Sequence, residues 1–161
     1  MISPFVRLAC IFTFVLLGCG YSAAQESRGG LVPGTKVWLM NGTALVDDLT
    51  VGTEILTLGP DGKPVPGKIS SIRKRHADSY ILLKAGTAEV QATESHRIAL
   101  PDGTLVRIDA VASGDKVFVW GPKGREEQVA KVREYPASLL CYNLTIEGHR
   151  LFVAGGIIVG D

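Results

Sequence analysis

The chain is 161 residues long, 20% charged and 46% apolar, enough to bury one core and too apolar for an intrinsically disordered segment. Seventeen Lys+Arg stand against sixteen Asp+Glu, and only Arg7 is charged among the first 24 residues, so the remainder is neutral. That balance argues against nucleic acid as a partner, because phosphate binding depends on a basic excess. Three cysteines, two of them near the N-terminus, argue against a disulfide-stapled scaffold.

Residues 1–24 read MISPFVRLACIFTFVLLGCGYSAA. One cation precedes an uncharged apolar stretch from Leu8 to Leu17, too short to span a bilayer, which is the layout of a secretory signal peptide. Two processing sites compete. Ser22-Ala23-Ala24 is a small-x-small site whose cleavage leaves Gln25 first and Cys141 as the sole thiol. Leu16-Leu17-Gly18-Cys19 resembles a bacterial lipoprotein box, in which Cys19 would carry lipid and anchor the protein to a membrane. Either reading predicts export, to the cell envelope, the periplasm or the medium. Residues 25–35 then form a short connecting segment ahead of a domain over 36–161.

That domain is expected to be all-β. Short runs such as Val37-Trp38-Leu39-Met40, Ile55-Leu56-Thr57-Leu58, Tyr80-Ile81-Leu82-Leu83, Val117-Phe118-Val119-Trp120 and Ile157-Ile158-Val159 are rich in β-branched and aromatic residues. They are separated by Asn41-Gly42, Asp61-Gly62, Asp102-Gly103 and Lys123-Gly124, pairs that accept the positive φ of a tight turn. No stretch shows a helical period, although Asp47–Val51 can form one helical turn.

The body is also written twice. Asn41-Gly42-Thr43 aligns with Asp102-Gly103-Thr104; Asp47, Leu49, Gly52, Ile55, Gly59-Pro60 and Gly62 align with Asp109, Val111, Gly114, Val117, Gly121-Pro122 and Gly124. Two copies of this length are not a solenoid. They predict two related β subdomains about a pseudo-twofold axis, with a shared core and a cleft where they meet.

Three blocks in order then resemble the Hint domain, the module shared by inteins and Hedgehog autoprocessing regions. GTKVWLMNGTALVDDLTVGTEILTL is similar to the family's opening strand-turn-strand. Thr93-Glu94-Ser95-His96 matches its T-x-x-H block, and Cys141-Tyr142-Asn143-Leu144-Thr145-Ile146-Glu147-Gly148-His149-Arg150-Leu151-Phe152-Val153 its terminal block. The resemblance covers about residues 30–161 and implies a disk- or horseshoe-like fold of two pseudo-twofold halves.

The resemblance also implies a chemistry: a Cys or Ser at the first position attacks the carbonyl before it, while Thr93 and His96 hold and protonate the strained amide. His149 would assist a later step, and a final His-Asn would cyclise. Counting back from Val37 puts the nucleophile's position on Gly30; anchoring on Pro33-Gly34 puts it on Leu31. Neither has a nucleophilic atom. The His-Asn pair falls on Gly160-Asp161, with nothing after it to release. The expectation is therefore a degenerate member, inactive for splicing and serving as a binding or structural module.

The remnant site would comprise Thr93, His96, Asn143, His149 and Cys141. Cys141 is two residues before Asn143 and so on the same strand face. Some family members use a cysteine in this block, at the position that aligns with Asn143, so a displaced nucleophile is the alternative reading. A lone cysteine in Leu139-Leu140-Cys141-Tyr142 also reads as a small buried hydrophobe. Three scattered histidines lack metal-ligand spacing, so no metal or cofactor is expected. Arg73-Lys74-Arg75-His76 reads as a solvated strand end, with a lipid or polyanion patch as the lesser reading. A monomer with an unidentified protein or small-molecule partner is expected.

Overall fold

The computed structural model describes residues 29–161. The apolar leader, Cys19 and both processing sites lie outside the described residues. In chain order the strands are β1 (Lys36–Leu39), β2 (Gly42–Leu45), β3 (Glu54–Leu58), β4 (Pro64–Ala85), β5 (Ala88–Ala92), β6 (Arg97–Ala99), β7 (Leu105–Arg107), β8 (Lys116–Gly121), β9 (Gly124–Ile146), β10 (Leu151–Ala154) and β11 (Ile157–Gly160). They form one antiparallel network in the order β2-β1-β10-β3-β4-β9-β8-β11-β6-β7, with β5 beside β4 and β10 also paired with β11.

The duplicated sequence is a duplicated structure. β1, β2, a single 3₁₀ turn at Val46–Asp48 and β3 recur as β6, β7, a 3₁₀ turn at Ile108–Ala110 and β8. Gly42 and Gly103 open equivalent turns at φ 116° and 84°, which a side chain rarely adopts. The turn residues Val46 and Ile108 are both fully buried, so each 3₁₀ turn pins its hairpin onto the common core.

Two long strands tie the halves together. β4 and β9 pair from Ile69↔Ile146 to Ala85↔Ala130, with register shifts at Ile69/Ser71 and Ala77/Ser79. Their length is hidden in the sequence, because the polar run Arg73–Ser79 and Pro136 both read as strand breaks. Pro136 is tolerated because it falls at the second register shift, where a ladder N–H is dispensable. The basic run thus lies in the middle of a strand and not at its end.

The unbroken apolar runs near the C-terminus have a packing reason. Phe152 and Ala154 of β10 and Ile157 and Val159 of β11 enter the main core with Leu31, Val37, Ile55, Ile69, Leu83, Ile98 and Leu144. Their alternates Val153 and Ile158 enter a second cluster with Leu56, Leu58, Ala99 and Phe118, flanked by Trp38 and Trp120. Strands covered on both faces are apolar throughout rather than alternating. Residues 29–32 share this interior. Leu31 is completely buried, and its N–H and C=O pair with the C=O and N–H of Tyr142 at 2.8 and 2.9 Å.

Phe152 pairs with both Thr57 and Val159 at the junction of these layers. Phe152→Ala is expected to lower stability by about 3–5 kcal/mol in urea unfolding. Leu140→Ala, at a side chain 42% exposed, is expected to change it by about 0.5 kcal/mol or less.

Candidate functional site

The spacing of Thr93-Glu94-Ser95-His96 is the spacing of a turn. The segment leaves β5, and the His96 N–H donates back to the Thr93 carbonyl at 2.9 Å, an i to i+3 bond that folds the two residues toward one target. That target is the peptide between Gly29 and Gly30. The Gly30 N–H donates to Thr93 Oγ1 at 2.8 Å, and the Thr93 N–H donates to the Gly30 carbonyl at 2.9 Å. From β9, Asn143 Nδ2 donates to the Gly29 carbonyl at 2.5 Å. Both polar ends of one peptide plane are therefore held by side chains from different halves of the chain.

His96 completes the grip. It is 3% exposed, its ring hydrogen-bonds the Gly29 backbone, and its Nε2 has no hydrogen-bond partner. Burial pushes its pKa down to about 4, with the Gly29 backbone opposing the shift. The imidazole is neutral at neutral pH, where an efficient general acid would titrate close to the working pH.

Cys141 is 1% exposed, and burial pushes its thiol up to about 11. Its position is set by the missing side chain at Gly30: a Cβ on Gly30 would lie 2.8 Å from the Cβ of Cys141. A Cβ on Gly29 would lie 2.0 Å from the His96 backbone nitrogen. Only glycine passes between these walls. Leu31, the other candidate for the first position, points into the core and receives neither Thr93 nor Asn143.

On one side the clamp opens into a cleft of about 1310 Å³. Gly29, His96, Asn143, His149 and Asp161 all line it. Asp161 accepts from the Ile146 N–H at 3.3 Å and donates its own N–H to the Arg150 carbonyl at 3.1 Å, which fixes the last turn against β9. Thr93, His96 and Asn143 thus converge on one bond, His149 shares their cleft, and Cys141 lies beneath it. Of the arginines of this cleft, Arg73 and Arg75 belong to the basic run whose lesser reading is a lipid or polyanion patch, whereas sequence reasoning missed Arg97 and Arg150, which are isolated in the sequence.

No protein-family model matches the sequence, and no curated protein matches it. Solved structures do. A bacterial intein-like domain from Clostridium thermocellum is 16% identical, with 82% of this chain and 98% of that one covered at a TM-score of 0.73. A DnaB intein from Synechocystis sp. PCC 6803 is 21% identical over 83% of this chain and 98% of that one, at a TM-score of 0.74. The gp41-1 intein is 20% identical over 84% of this chain and all of that one, at 0.67.

The chain has the intein-like Hint fold. The similarity reaches nearly the whole of each Hint structure compared, so the two halves, the long β4–β9 ladder and the cleft are properties of the complete fold. Within this fold, Thr93, His96 and Asn143 meet on the peptide between Gly29 and Gly30.

The low pKa of His96 sets a pH dependence. The unfolded chain binds a proton near the ordinary histidine value of 6.5, and the folded chain only near 4. Stability contributed by the neutral ring is complete above 6.5 and is lost as pH falls toward 4. The expected loss from pH 7 to pH 4 is about 3 kcal/mol from this group. Urea unfolding across that window checks it, with His96→Gln expected to have a correspondingly shallower slope.

Proposed function

We propose that this chain is an exported Hint-type domain that keeps the grip on a scissile-type peptide, has lost the attacking atom, and acts as a binding or structural module. Export is supported by Arg7, the apolar Leu8–Leu17 stretch and the small residues Ser22-Ala23-Ala24. Inactivity is supported above all by the contact between Gly30 and Cys141. The family's acyl shift needs a hydroxyl or thiol on the residue whose N–H meets Thr93, and that residue is Gly30. The space into which such a side chain would grow begins with the Cβ of Cys141. A clamp without a nucleophile binds the amide and leaves it intact.

Intact-mass analysis of the exported protein during prolonged incubation is the direct test, and the expected result is an unchanged mass. Cleavage between Gly29 and Gly30 would overturn the reading. The cause of inactivity has its own test. Gly30→Cys combined with Cys141→Gly is expected to gain thiol-induced cleavage after Gly29, because the new thiol then has room beside the Asn143-polarised carbonyl. Gly30→Cys alone is expected not to cleave.

The closeness of Cys141 to Gly30 also supports a second reading, autoproteolysis by a displaced nucleophile with Thr93, His96 and His149 as assistants. The sulfur would add to the Gly29 carbonyl carbon and the Gly29–Gly30 bond would break. Gly30 would leave as an amine carrying the thiol proton, Gly29 would remain as a thioester on Cys141, and water would then hydrolyse that thioester, releasing the segment that ends at the Gly29 carboxylate and restoring the thiol. The burial-raised thiol pKa opposes this, since the thiolate attacks and is scarce at neutral pH. Iodoacetamide is expected to label Cys141 at least about a hundredfold more slowly than glutathione at pH 7. Fast labelling, with a mass loss that Cys141→Ala abolishes, would establish the second reading in place of the first.

A further inference from the structure

The cleft beside the clamp has a charge that the clamp does not use. Among the described residues, Arg73, Lys74, Arg75, Arg97, Arg107 and Arg150 line it, against one acidic lining residue, Asp161. In a chain of net charge +1 this is a strong local concentration. Arg107 is answered in part by Asp109 at 2.6 Å and Glu94 at 3.8 Å, and Lys74 lies 5.2 Å above the Tyr142 ring. Arg73 pairs across the ladder with Asn143 and Arg75 with Cys141, so both stand on the face that carries the clamp. Among the described residues Ile146 is the one large apolar side chain on the wall, and Gly29, Gly148 and Gly160 supply bare backbone. Such a wall has no pocket for an apolar anchor and recognises its ligand by charge.

The covalent chain fixes what stands opposite. Residues 1–28 join the domain at Gly29, which itself lines the cleft. Gly29 follows Cys19 by ten residues, an extended reach of about 35 Å, and the apolar Leu8–Leu17 stretch lies further upstream. The point at which this membrane-directed sequence joins the domain thus lies in the cationic wall. We infer that the cationic cleft docks the domain onto an anionic lipid surface of the cell envelope. Phosphate headgroups meet the guanidinium groups of the cleft. This rests on the export reading above and names what the module binds; it does not depend on whether the Gly29–Gly30 bond is ever cut.

Vesicle partitioning of the exported protein tests the inference, with phosphatidylcholine vesicles compared with phosphatidylcholine vesicles containing phosphatidylglycerol. A lipid on Cys19, or a retained leader, adds to binding on both, so the anionic-to-neutral ratio isolates the cleft. Each cation near such a surface is worth roughly fivefold in partitioning. Arg73→Gln, Arg75→Gln and Arg150→Gln together are expected to lower the ratio on the order of a hundredfold, and raised salt to lower it in the unaltered protein. Lys63→Gln, Lys123→Gln and Lys131→Gln, outside the cleft, are expected to leave it within about twofold. Equal partitioning on the two vesicles overturns the inference, as does a salt-insensitive ratio, which is measurable even if the triple variant does not fold. Retention on soluble polyphosphate without preference for the anionic vesicle also overturns it and reassigns the cleft to a soluble polyanion. None of these outcomes changes the intact mass, so failure here is distinct from failure of the non-splicing reading.

Discussion

The close passage of the Gly29–Gly30 backbone between two other backbones is the constraint on which the site depends. On one side a Cβ would strike His96, and on the other it would strike Cys141. Thr93 and Asn143 then saturate the N–H and C=O that this passage buries, at 2.8 and 2.5 Å. Buried peptide groups are costly when unpaired, so passage and clamp require each other. The tight fit leaves no room for a side chain at either glycine.

The positions of the clamping residues follow from the two long strands. β9 brings Asn143 and Cys141 to the middle of a ladder with β4, and Leu31 bridges both Tyr142 of β9 and Ala92 of β5. The chain before β1 is thereby threaded between two strands, where it completes the pairing that β5 and β9 leave open. The same ladder presents Arg73 and Arg75 beside the clamp, so a peptide-holding face and a cationic wall are one surface. Burial acts on His96 and Cys141 alike in favour of the neutral form, lowering the first and raising the second.

Much of the fold was legible in the residues. The recurrence of Gly42 at Gly103, of Asp47 at Asp109 and of Gly59-Pro60 at Gly121-Pro122 reflects a repeated hairpin and 3₁₀ turn, because turn geometry restricts residue choice locally. The helical turn expected over Asp47–Val51 is a shorter 3₁₀ turn at Val46–Asp48, which begins one residue earlier at the core-facing Val46 and ends before Leu49. The length of β4 and β9 was not legible. Polar residues from Arg73 to Ser79 and a proline at 136 are poor strand formers, and cross-strand pairing overrides them.

By itself the sequence determined the all-β class, the duplication and the alignment of Thr93, His96, Asn143 and His149 with one family's blocks. These are local or periodic properties, written in spacing and turn chemistry. Only the tertiary structure decided that Gly30 rather than Leu31 meets Thr93, since the two differ by one residue and a one-residue step reverses the face. Tertiary structure alone also decided that Cys141 fills the space beside Gly30, and that arginines from β4, β6, β7 and the turn before β10 share one wall. Both depend on contacts between residues distant in the chain, which no spacing along it encodes.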